Sequence, residues 1–425
     1  MILSDPSLAI RFRDYGIMLP IAPNRAERVL EFLEKHFFPG TRGNTLPYPG
    51  PVFTITGAIQ YLEAAGLGAG IPEPEGEQAA VISRQDLERV HHRDFIAALY
   101  GNPGGNHRKN SAADAGEAGT PGAHTVQGPL ERELLRAYEL LDPQGRPHRY
   151  EPEKAVKPLA ELFKLLLAQT AGTYLACRLA LSPGPGFCYY LGGGMHHARY
   201  ESGSGFCLIN DVSIAAVKIL RDPPELLGKK NPVRLIWIID LDAHKGDGTA
   251  ELIRMVHEQG GAGAGNRESC KPRILTLSIH MARGWPLDEE TLTGAVPGRA
   301  PLAPSDVDIG IARGEEAEYI PRLKEGIGRL ERISAERRGQ NPDLILVVDG
   351  ADPYEHDGLP SSALLKLTLN QCLRRDRLVY RYAVDRGIPS AWIQAGGYGE
   401  RAWEPAGHFL RSLRQAGSGE GPADF

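Results

Sequence analysis

Short apolar segments alternate with longer amphipathic ones along this chain, and this alternation restricts the fold more than any other feature. Five segments are short and dense in apolar and β-branched residues: 184–191, 233–241, 273–279, 343–349 and 389–395. Helical periodicity occurs near 155–182, 212–221, 248–257, 316–337 and 363–386. Strands that are apolar along their whole length are covered on both faces, and strand–helix repetition forms βαβ units. The sequence therefore predicts an α/β fold with a mainly parallel sheet.

Two stretches interrupt this pattern and predict surface insertions. Residues 102–128 are rich in glycine, asparagine and alanine, and residues 259–272 contain a glycine–alanine run typical of a flexible loop. The tail from Gln415 predicts disorder. None of these breaks divides the strands into two self-sufficient sets, so the sequence predicts one domain over residues 1–414.

The composition argues against several classes of protein. A net charge of −5 over 425 residues gives no basic excess for direct binding of nucleic acid. The five cysteines have no paired spacing, which argues against a disulfide framework or a thiolate zinc site. No apolar run is long enough to span a membrane, and residues 1–13 lack the pattern of a secretory signal. We therefore expect a cytoplasmic protein without a membrane partner.

The segment 238–248 carries the strongest chemical signal. An apolar strand runs into Asp240, Asp242 and His244, which a glycine turn and a helical pattern follow. Side chains alternate between the faces of a strand, so these three point to one side, at the strand end where parallel sheets bind ligands. Three such buried groups are costly without a cation or hydrogen bonds. The alternative is that they cap helices and form turns, as Asp247 alone would do.

A second predicted strand, 343–349, ends in a similar way, with Asp352 shortly after Gly350. One histidine and two aspartates match a catalytic zinc site that leaves a position open for water and substrate. Asp349 and His356 are rivals by residue type. His356 is more typical of a surface loop, and no partner for Asp349 can be named from the sequence.

Two glycine-rich turns supply further reactive groups. The segment Gly-Gly-Gly-Met-His-His-Ala places His196 beside His197, and an irregular turn can direct both into one pocket. The segment Gln-Ala-Gly-Gly-Tyr-Gly places Tyr398 just past a predicted strand. Each signal is weak alone, and the pair His91-His92 is interpreted as a surface or helix-flanking pair.

Taken together, these segments resemble the histone deacetylase family, which includes acetylpolyamine amidohydrolases and acetoin-utilisation proteins. The resemblance runs from about residue 20 to residue 410, apart from the insertions, and its joint order and spacing are specific. The segments that carry it are 20–29, 86–91, 192–198, 204–211, 240–248, 350–357 and 396–398. Segments 240–244 and 374–381 favour the class IV branch of the family.

The resemblance implies an arginase-like α/β fold, with a mainly parallel eight-stranded sheet, helices on both faces and one divalent metal, normally zinc. The residues that match the metal ligands are Asp242, His244 and Asp352. The residues that match the catalytic groups are the tandem His196 and His197, the carboxylates behind them, Asp240 and Asp247, and the carbonyl-polarising Tyr398. A structural potassium ion, common in the family, would use Asp240, Ser278 and main-chain carbonyls near Asp242, His244 and Ile279.

The implied reaction is hydrolysis of an amide, which is a poor electrophile attacked by a poor nucleophile. Bound zinc polarises the carbonyl and lowers the pKa of its water towards ~7. His197 would take the proton of the water and pass it to the leaving amine, while His196 stabilises nearby charge. Tyr398 would donate its hydroxyl to the oxyanion.

The substrate channel departs in part from the family pattern. Phe206, with Gly205 beside it, matches one aromatic wall of a narrow acyl-lysine channel. The stretch 280–306 does not match the usual second wall, for which Trp285 is a candidate. Leu359 occupies a rim position where polyamine-selective relatives tend to carry an acid, and a leucine favours a neutral acyl-lysine stem.

Lys245 stands where relatives often have histidine or glutamine, and strand alternation turns it away from the metal.

Several functions remain open at this point. The first is hydrolysis of N6-acyl-lysine in a protein or peptide, and the second is hydrolysis of an acetylated polyamine or another small acylated amine. A third is a catalytically silent module that binds acylated lysine. An arginase-type dimanganese hydrolase would need more bridging carboxylates and histidines than this chain places near the site. The sequence decides neither the acyl chain length nor the oligomeric state.

Overall fold

The computed structural model describes residues 1–37, 52–68, 81–101, 128–142, 144–184, 186–261, 273–287 and 302–417. The strands of this part are β1 (Ile2–Leu3), β2 (Val52–Phe53), β3 (Phe187–Tyr190), β4 (Ile236–Asp240), β5 (Ile274–Met281), β6 (Val307–Ile311), β7 (Leu344–Asp349) and β8 (Ser390–Gln394). They form one eight-stranded sheet in the order β2-β1-β3-β8-β7-β4-β5-β6, and every pairing is parallel. The predicted parallel α/β fold is confirmed, and each of the five predicted strands corresponds to an observed one.

Three of the observed strands were not predicted from the sequence, and the reasons are physical. β1 and β2 have two residues each, which is too short for any periodicity to show. β6 lies at the edge of the sheet, where burial alternates along the strand. Its sequence, Val-Asp-Ile-Gly-Ile, therefore lacks the continuous apolar run of a central strand.

The α-helices of the described chain are α1 (Arg25–Phe37), α2 (Ile55–Ala64), α3 (Arg84–Glu88), α4 (Arg93–Leu99), α5 (Pro129–Ala137), α6 (Leu162–Leu181), α7 (Asp211–Arg221), α8 (Asp247–Gly261), α9 (Tyr319–Arg338), α10 (Leu369–Asp385) and α11 (Glu404–Gly417). The five predicted helical patterns correspond to α6 through α10. α6 begins later than predicted because Pro158 cannot continue a helix. α10 also begins later, where the Thr368 side chain and Gln371 form a capping box.

Two apolar layers enclose the sheet. Ile236 and Ile238 of β4 pack into one layer with α6 and α7. Trp237 and Ile239 pack into the other with α1, α9, α10 and α11. α6 is buried on nearly all sides, as expected for a helix whose apolar residues are not confined to one face. Helices therefore cover both faces of the sheet in the described part of the chain, and a ligand is expected at the strand ends.

Some predicted boundaries need correction. Residues 259–261, assigned to an insertion, are the last turn of α8, and residues 262–272 lie outside the described residues. The 102–128 insertion also lies outside them, except that Gly128 is the N-cap of α5. The predicted disordered tail begins too early, because α11 continues to Gly417. The single domain over 1–414 stays a prediction.

No helix in the described ranges is both long enough and apolar enough to cross a lipid bilayer.

The strand order explains why distant segments of the chain meet at one place. β3, β8, β7 and β4 are consecutive in the sheet, and all point the same way. The loops after these strands carry, in that order, the paired histidines, Tyr398, Asp352, and Asp242 with His244. The candidate residues therefore gather at the carboxyl edge, where α/β sheets bind ligands.

Two helical glycines provide a test of this packing. At Gly172 of α6 a Cβ atom would lie 2.3 Å from Cζ of the buried Tyr190, whereas at Gly328 of α9 the nearest atom is 3.9 Å away. Alanine is favoured over glycine in helices by about 1 kcal/mol, so we expect Gly328→Ala to raise the free energy of unfolding by up to that amount. We expect Gly172→Ala to lower it by about 1–3 kcal/mol, because the ring cannot move aside. Chemical denaturation measures both, and stabilisation by Gly172→Ala would contradict the described contact of α6 with β3.

Candidate active site

The metal-competent side chains lie just past the ends of two neighbouring strands. After β4 the chain continues as an irregular turn, yet the alternation of faces persists. Leu241 and Ala243 join the apolar layer on the far side, as predicted. Asp242 and His244 meet Asp352, whose Oδ1 accepts a hydrogen bond from the N–H of Ala243 at 2.9 Å.

Asp242, His244 and Asp352 form one compact cluster. One candidate ligand atom from each lies within 4.8 Å of the others, and the three residues are at most 4% exposed. Nδ1 of His244 is 2.8 Å from Oδ2 of Asp352 and 3.3 Å from Oδ1 of Asp242. Its Nε2 lies 3.2 Å from Oγ of Ser361. The Ser361 hydroxyl thus contacts Nε2 of the imidazole, while Nδ1 faces two carboxylates.

The charges of this cluster fit a bound cation. Burial and the negative charge of Asp242 raise the pKa of Asp352. Burial alone lowers the pKa of His244, but its hydrogen bonds to the two carboxylates and their charges raise it to about 10. In the protein alone, a proton on His244 compensates the carboxylates. Two carboxylate oxygens and one imidazole nitrogen that converge are a donor set of the kind that holds zinc, and a bound cation would take the place of that proton.

Glycines let the backbone close around these carboxylates. A Cβ atom on Gly350 would lie 2.5 Å from Oδ2 of Asp242. A Cβ atom on Gly396 would lie 2.3 Å from the same oxygen and 3.0 Å from Cγ of Asp352. The N–H of Gly396 also donates to Oδ2 of Asp242 at 3.1 Å. Any side chain at either position would displace the cluster.

The two adjacent histidines each rest on their own carboxylate. Nδ1 of His196 is 2.7 Å from Oδ2 of Asp240, and Nδ1 of His197 is 2.9 Å from Oδ1 of Asp247. The ring centroids are 3.9 Å apart, so the irregular turn does direct both into one pocket. Burial lowers the pKa of His196, but the charges of Asp240 and Asp242 outweigh it and raise the pKa to about 9.

A second group of candidate ligands consists of His196, His197 and Asp242, which share the same spacing limit. Nδ1 of each histidine already bonds to a carboxylate outside the group, so only the Nε2 atoms are available to a cation. Nε2 of His196 is 3.7 Å from Oδ1 of Asp242. The histidine pair therefore lies directly beside the Asp242–His244–Asp352 cluster.

Tyr398 sits in a loop that is fixed by main-chain hydrogen bonds. Its N–H donates to Oδ2 of Asp357 at 2.6 Å, and the N–H of Gly399 donates to the carbonyl of Pro20 at 2.8 Å. Nη1 of Arg25 donates to the carbonyl of Ala395 at 2.7 Å. Burial, followed by the charges of the nearby carboxylates, raises the pKa of Tyr398 well above its usual value. The phenol therefore stays protonated and can act as a hydrogen-bond donor.

Aromatic rings form two sides of the entrance. Trp285 lies 4.5 Å from His197 between ring centroids, and Phe206 lies 6.4 Å from Tyr398. Gly205 packs against Trp285 and His197, because a Cβ atom there would lie 2.3 Å from Cη2 of Trp285 and 2.9 Å from the His197 ring. Trp285 thus lies in the lining of the same cavity as Phe206, and its role as the second wall stays a prediction.

One cavity of about 470 Å³ joins these groups. Besides both aromatic rings and Leu359, its lining includes the candidate residues His196, His197, Asp242, His244 and Tyr398. Its lining also includes the glycine turn 192–194 and buried apolar side chains such as Leu8, Ile10 and Leu166.

Three supporting residues were missed as functional groups: Arg25, Asp357 and Ser361. Arg25 and Asp357 fall inside segments that carry the family resemblance, which was the available signal. Burial and the charge of Asp352 raise the pKa of Asp357 to about 7. Ser361 had no signal in the sequence, because only the fold brings it to His244.

The remaining candidates occupy structural positions. Asp349, which lacked a partner in the sequence, accepts hydrogen bonds from Nη2 of Arg375 at 2.5 Å and from the Tyr189 hydroxyl at 2.6 Å. His356 is exposed, as expected for a surface loop. Lys245 points away from the cluster, as predicted, and its Nζ lies 2.7 Å from Oδ2 of Asp308.

The interpretation of His91-His92 was half wrong. His92 caps the start of α4, as a helix-flanking residue does. His91 is 1% exposed and bridges the carbonyl of Arg199 and the N–H of Asn210, at 2.8 and 3.0 Å. Burial lowers the pKa of His91 to about 4, so this ring is a neutral structural link.

The proposed potassium ligands lie at the junction of β4 and β5. Asp240 and Ser278 are partners in the register of these strands, and Ile279 follows directly. Oγ of Ser278 is 2.9 Å from Nδ1 of His280. The assignment of a potassium site here stays a prediction.

Comparisons with known proteins agree with this architecture. The family profile for the histone deacetylase domain matches residues 55–408. The chain is 27% identical over 253 residues to histone deacetylase 2 of Arabidopsis thaliana, covering 59% of this chain and 53% of that protein. It is 31% identical over 218 residues to the acetoin utilization protein AcuC of Staphylococcus aureus strain COL, covering 50% of this chain and 46% of that protein. The matches thus span about half the length of these curated relatives.

A solved structure shows the same fold. Acetylpolyamine aminohydrolase from Burkholderia pseudomallei superposes with a TM-score of 0.52 and 19% sequence identity, over 97% of this chain and 98% of that one. At this identity the likeness establishes the arginase/deacetylase-like fold alone. The profile match covers most of the sequence, and by it the chain belongs to the histone deacetylase family.

Proposed function

We propose that this protein is a zinc-dependent amidohydrolase that removes the acyl group from N6-acyl-lysine in a protein or peptide. The observation that carries the proposal is the convergence of Asp242, His244 and Asp352 beside the two histidine–aspartate pairs, with both histidines and His244 lining one cavity. Such a site combines an open metal position with proton-transfer groups and an oxyanion donor.

Asp242, His244 and Asp352 would hold the zinc ion. When bound, it supplies Lewis acidity toward the carbonyl oxygen and acidifies water. Ser361 orients His244 by accepting a hydrogen bond from Nε2, which leaves Nδ1 for the metal side. The N–H groups of Ala243 and Gly396 fix one oxygen of each aspartate.

His197 is the proposed general base and acid. Asp247 at Nδ1 fixes its tautomer, so that Nε2 can take a proton from water and give it to the leaving amine. His196 is backed by Asp240 and has a pKa raised to about 9 in the protein alone. It would stabilise negative charge next to the reacting carbonyl.

Tyr398 is the proposed donor to the oxyanion. Its phenol keeps its proton, and the hydrogen bonds of Arg25 and Asp357 hold its loop in place. A donor fixed in advance stabilises the charge of the transition state without reorganisation.

The shape of the entrance supports an acyl-lysine substrate. Phe206 and Trp285 provide apolar walls for a neutral alkyl stem, and Leu359 lines the same cavity. An acetylated polyamine is the second candidate, since a fold neighbour is an acetylpolyamine aminohydrolase. The apolar side chains of Leu8, Ile10 and Leu166 in the lining of the same cavity support acyl groups longer than acetyl as further substrates.

A structural potassium ion at Asp240 and Ser278, a cytoplasmic location and class IV-like character complete the proposal.

Removal of the Tyr398 hydroxyl tests its proposed role as the donor to the oxyanion. We expect Tyr398→Phe to lower turnover of an acyl-lysine peptide by at least about tenfold, because one donor to the oxyanion is lost. The measurement is a series of acyl lengths on one lysine peptide, run for the parent and the variant. Tyr100→Phe, at an exposed tyrosine, is the control. Unchanged turnover in Tyr398→Phe would remove this residue from the mechanism.

A pair of histidine variants tests the metal site. We expect His244→Ala to lose bound zinc and at least about a hundredfold in turnover, because a ligand is gone. His356→Ala changes an exposed histidine near Asp352 and should retain both. Zinc content by elemental analysis, and restoration of a chelated parent by added Zn²⁺, complete the test. A parent that binds zinc but hydrolyses no acyl substrate would favour the silent binding module.

Substitution of Leu359, at the expected rim of the channel, tests which class of substrate the enzyme prefers. We expect Leu359→Glu to raise the ratio of kcat/KM for N-acetylputrescine to that for an acetyl-lysine peptide by about tenfold, because a carboxylate attracts the free ammonium group. Leu359→Gln is the matched control for polarity without charge. A parent that cleaves only N-acetylputrescine would contradict the acyl-lysine assignment.

A further inference from the structure

Arg375 of α10 is buried beneath the loops that carry the candidate metal ligands. Its side chain is 0% exposed, and its helix packs in the apolar layer opposite to that of α6 and α7. Nη1 donates to the carbonyl of Leu241 at 3.1 Å and to the carbonyl of Gly350 at 2.9 Å. One nitrogen therefore bridges the ends of two different strands, each next to a ligand loop.

The two carbonyls lie where β4 and β7 begin to separate. The strands pair up to Asp240 and Val348, and one more hydrogen bond follows, from the N–H of Leu241 to the carbonyl of Val348. The carbonyl of Leu241, which follows Asp240 in the chain, accepts a hydrogen bond from Nη1 of Arg375. The guanidinium thus keeps the backbone segments after β4 and β7 at a fixed separation, at the point where the regular strand pairing ends and the candidate site begins.

The other nitrogens of Arg375 fix its orientation. Nη2 donates to Oδ1 of Asp349 at 2.5 Å, and Nε donates to Oδ1 of Asp376 at 2.7 Å. The hydroxyl of Tyr189 holds the second oxygen of Asp349 at 2.6 Å. A planar guanidinium held on three sides cannot turn away from the carbonyls, and a lysine cannot reproduce this set of bonds.

We propose that Arg375 is a positioning residue that sets the separation of the Asp242 and Asp352 loops and thereby the affinity of the metal site. Leu241 precedes Asp242 directly, and Gly350 is two residues before Asp352. A shift of either carbonyl moves the carboxylate beside it. The inference rests on the metal centre of the proposed function, but it is independent of the substrate.

The test is the affinity for Zn²⁺ of the full chain, measured by competition with a chelator for the parent and Arg375→Lys. We expect the dissociation constant to rise by about tenfold or more, as for other groups that orient ligands. Arg377→Lys is the matched control, since it makes the same change in the same helix at a residue that bonds to Ser412. The control should stay within about twofold of the parent.

Thermal unfolding with and without Zn²⁺ separates positioning from simple stabilisation. Bound metal raises Tm according to its affinity for the folded state. A purely structural residue lowers Tm of both forms equally and leaves the dissociation constant unchanged, and that outcome would overturn the inference. A positioning residue reduces the rise in Tm that Zn²⁺ produces.

Should Arg375→Lys fail to fold, Asp349→Asn takes its place. It keeps the side-chain volume but removes the charge that holds Nη2, and we expect the dissociation constant for Zn²⁺ to rise by about threefold or more. An unchanged constant would overturn the inference. A parent that binds no Zn²⁺ would overturn the proposed function as well. A parent that binds Zn²⁺ tightly but hydrolyses no substrate still supports the role of Arg375 when affinity is lost in the variant.

Discussion

Negative charge concentrated in a buried place is the constraint on which the rest of this structure depends. Asp242 and Asp352 approach each other from adjacent strand ends, and both are almost completely shielded from solvent. Two carboxylates repel strongly where water cannot screen them, so the fold has to supply positive charge at that point. The imidazole of His244 supplies it in the protein alone, and a divalent cation supplies it in the proposed enzyme.

The supporting structure can be understood as a response to that constraint. The sheet is parallel and covered on both faces, so that its carboxyl edge is the place where polar groups from several strands can meet. Main-chain N–H groups donate hydrogen bonds to one oxygen of Asp242 and one of Asp352. Buried Arg375 compensates the negative charge of Asp349 at the end of β7. Each histidine of the adjacent pair is oriented by a carboxylate of its own.

The sequence predicted those parts of the molecule that local pattern determines. Long apolar strands and the ligand segment following β4 were readable because periodicity and spacing are local properties. β1 and β2 were not, since two residues carry no period. His91 was misinterpreted because burial depends on segments more than a hundred residues away, where Arg199 and Asn210 lie. The partner of Asp349 was hidden for the same reason, since only helix packing brings Arg375 to it.

The glycine backbone around Asp242 has a consequence for the choice of ion. Gly350 and Gly396 bring their backbone so close to this carboxylate that an added Cβ atom would lie 2.5 and 2.3 Å from its Oδ2. Ions with longer metal–oxygen distances need a wider ring of donors. A wider ring would need oxygen donors from outside the Asp242–His244–Asp352 cluster. Two carboxylates and one imidazole, closed in by glycine backbone, therefore disfavour large, oxygen-seeking cations such as calcium.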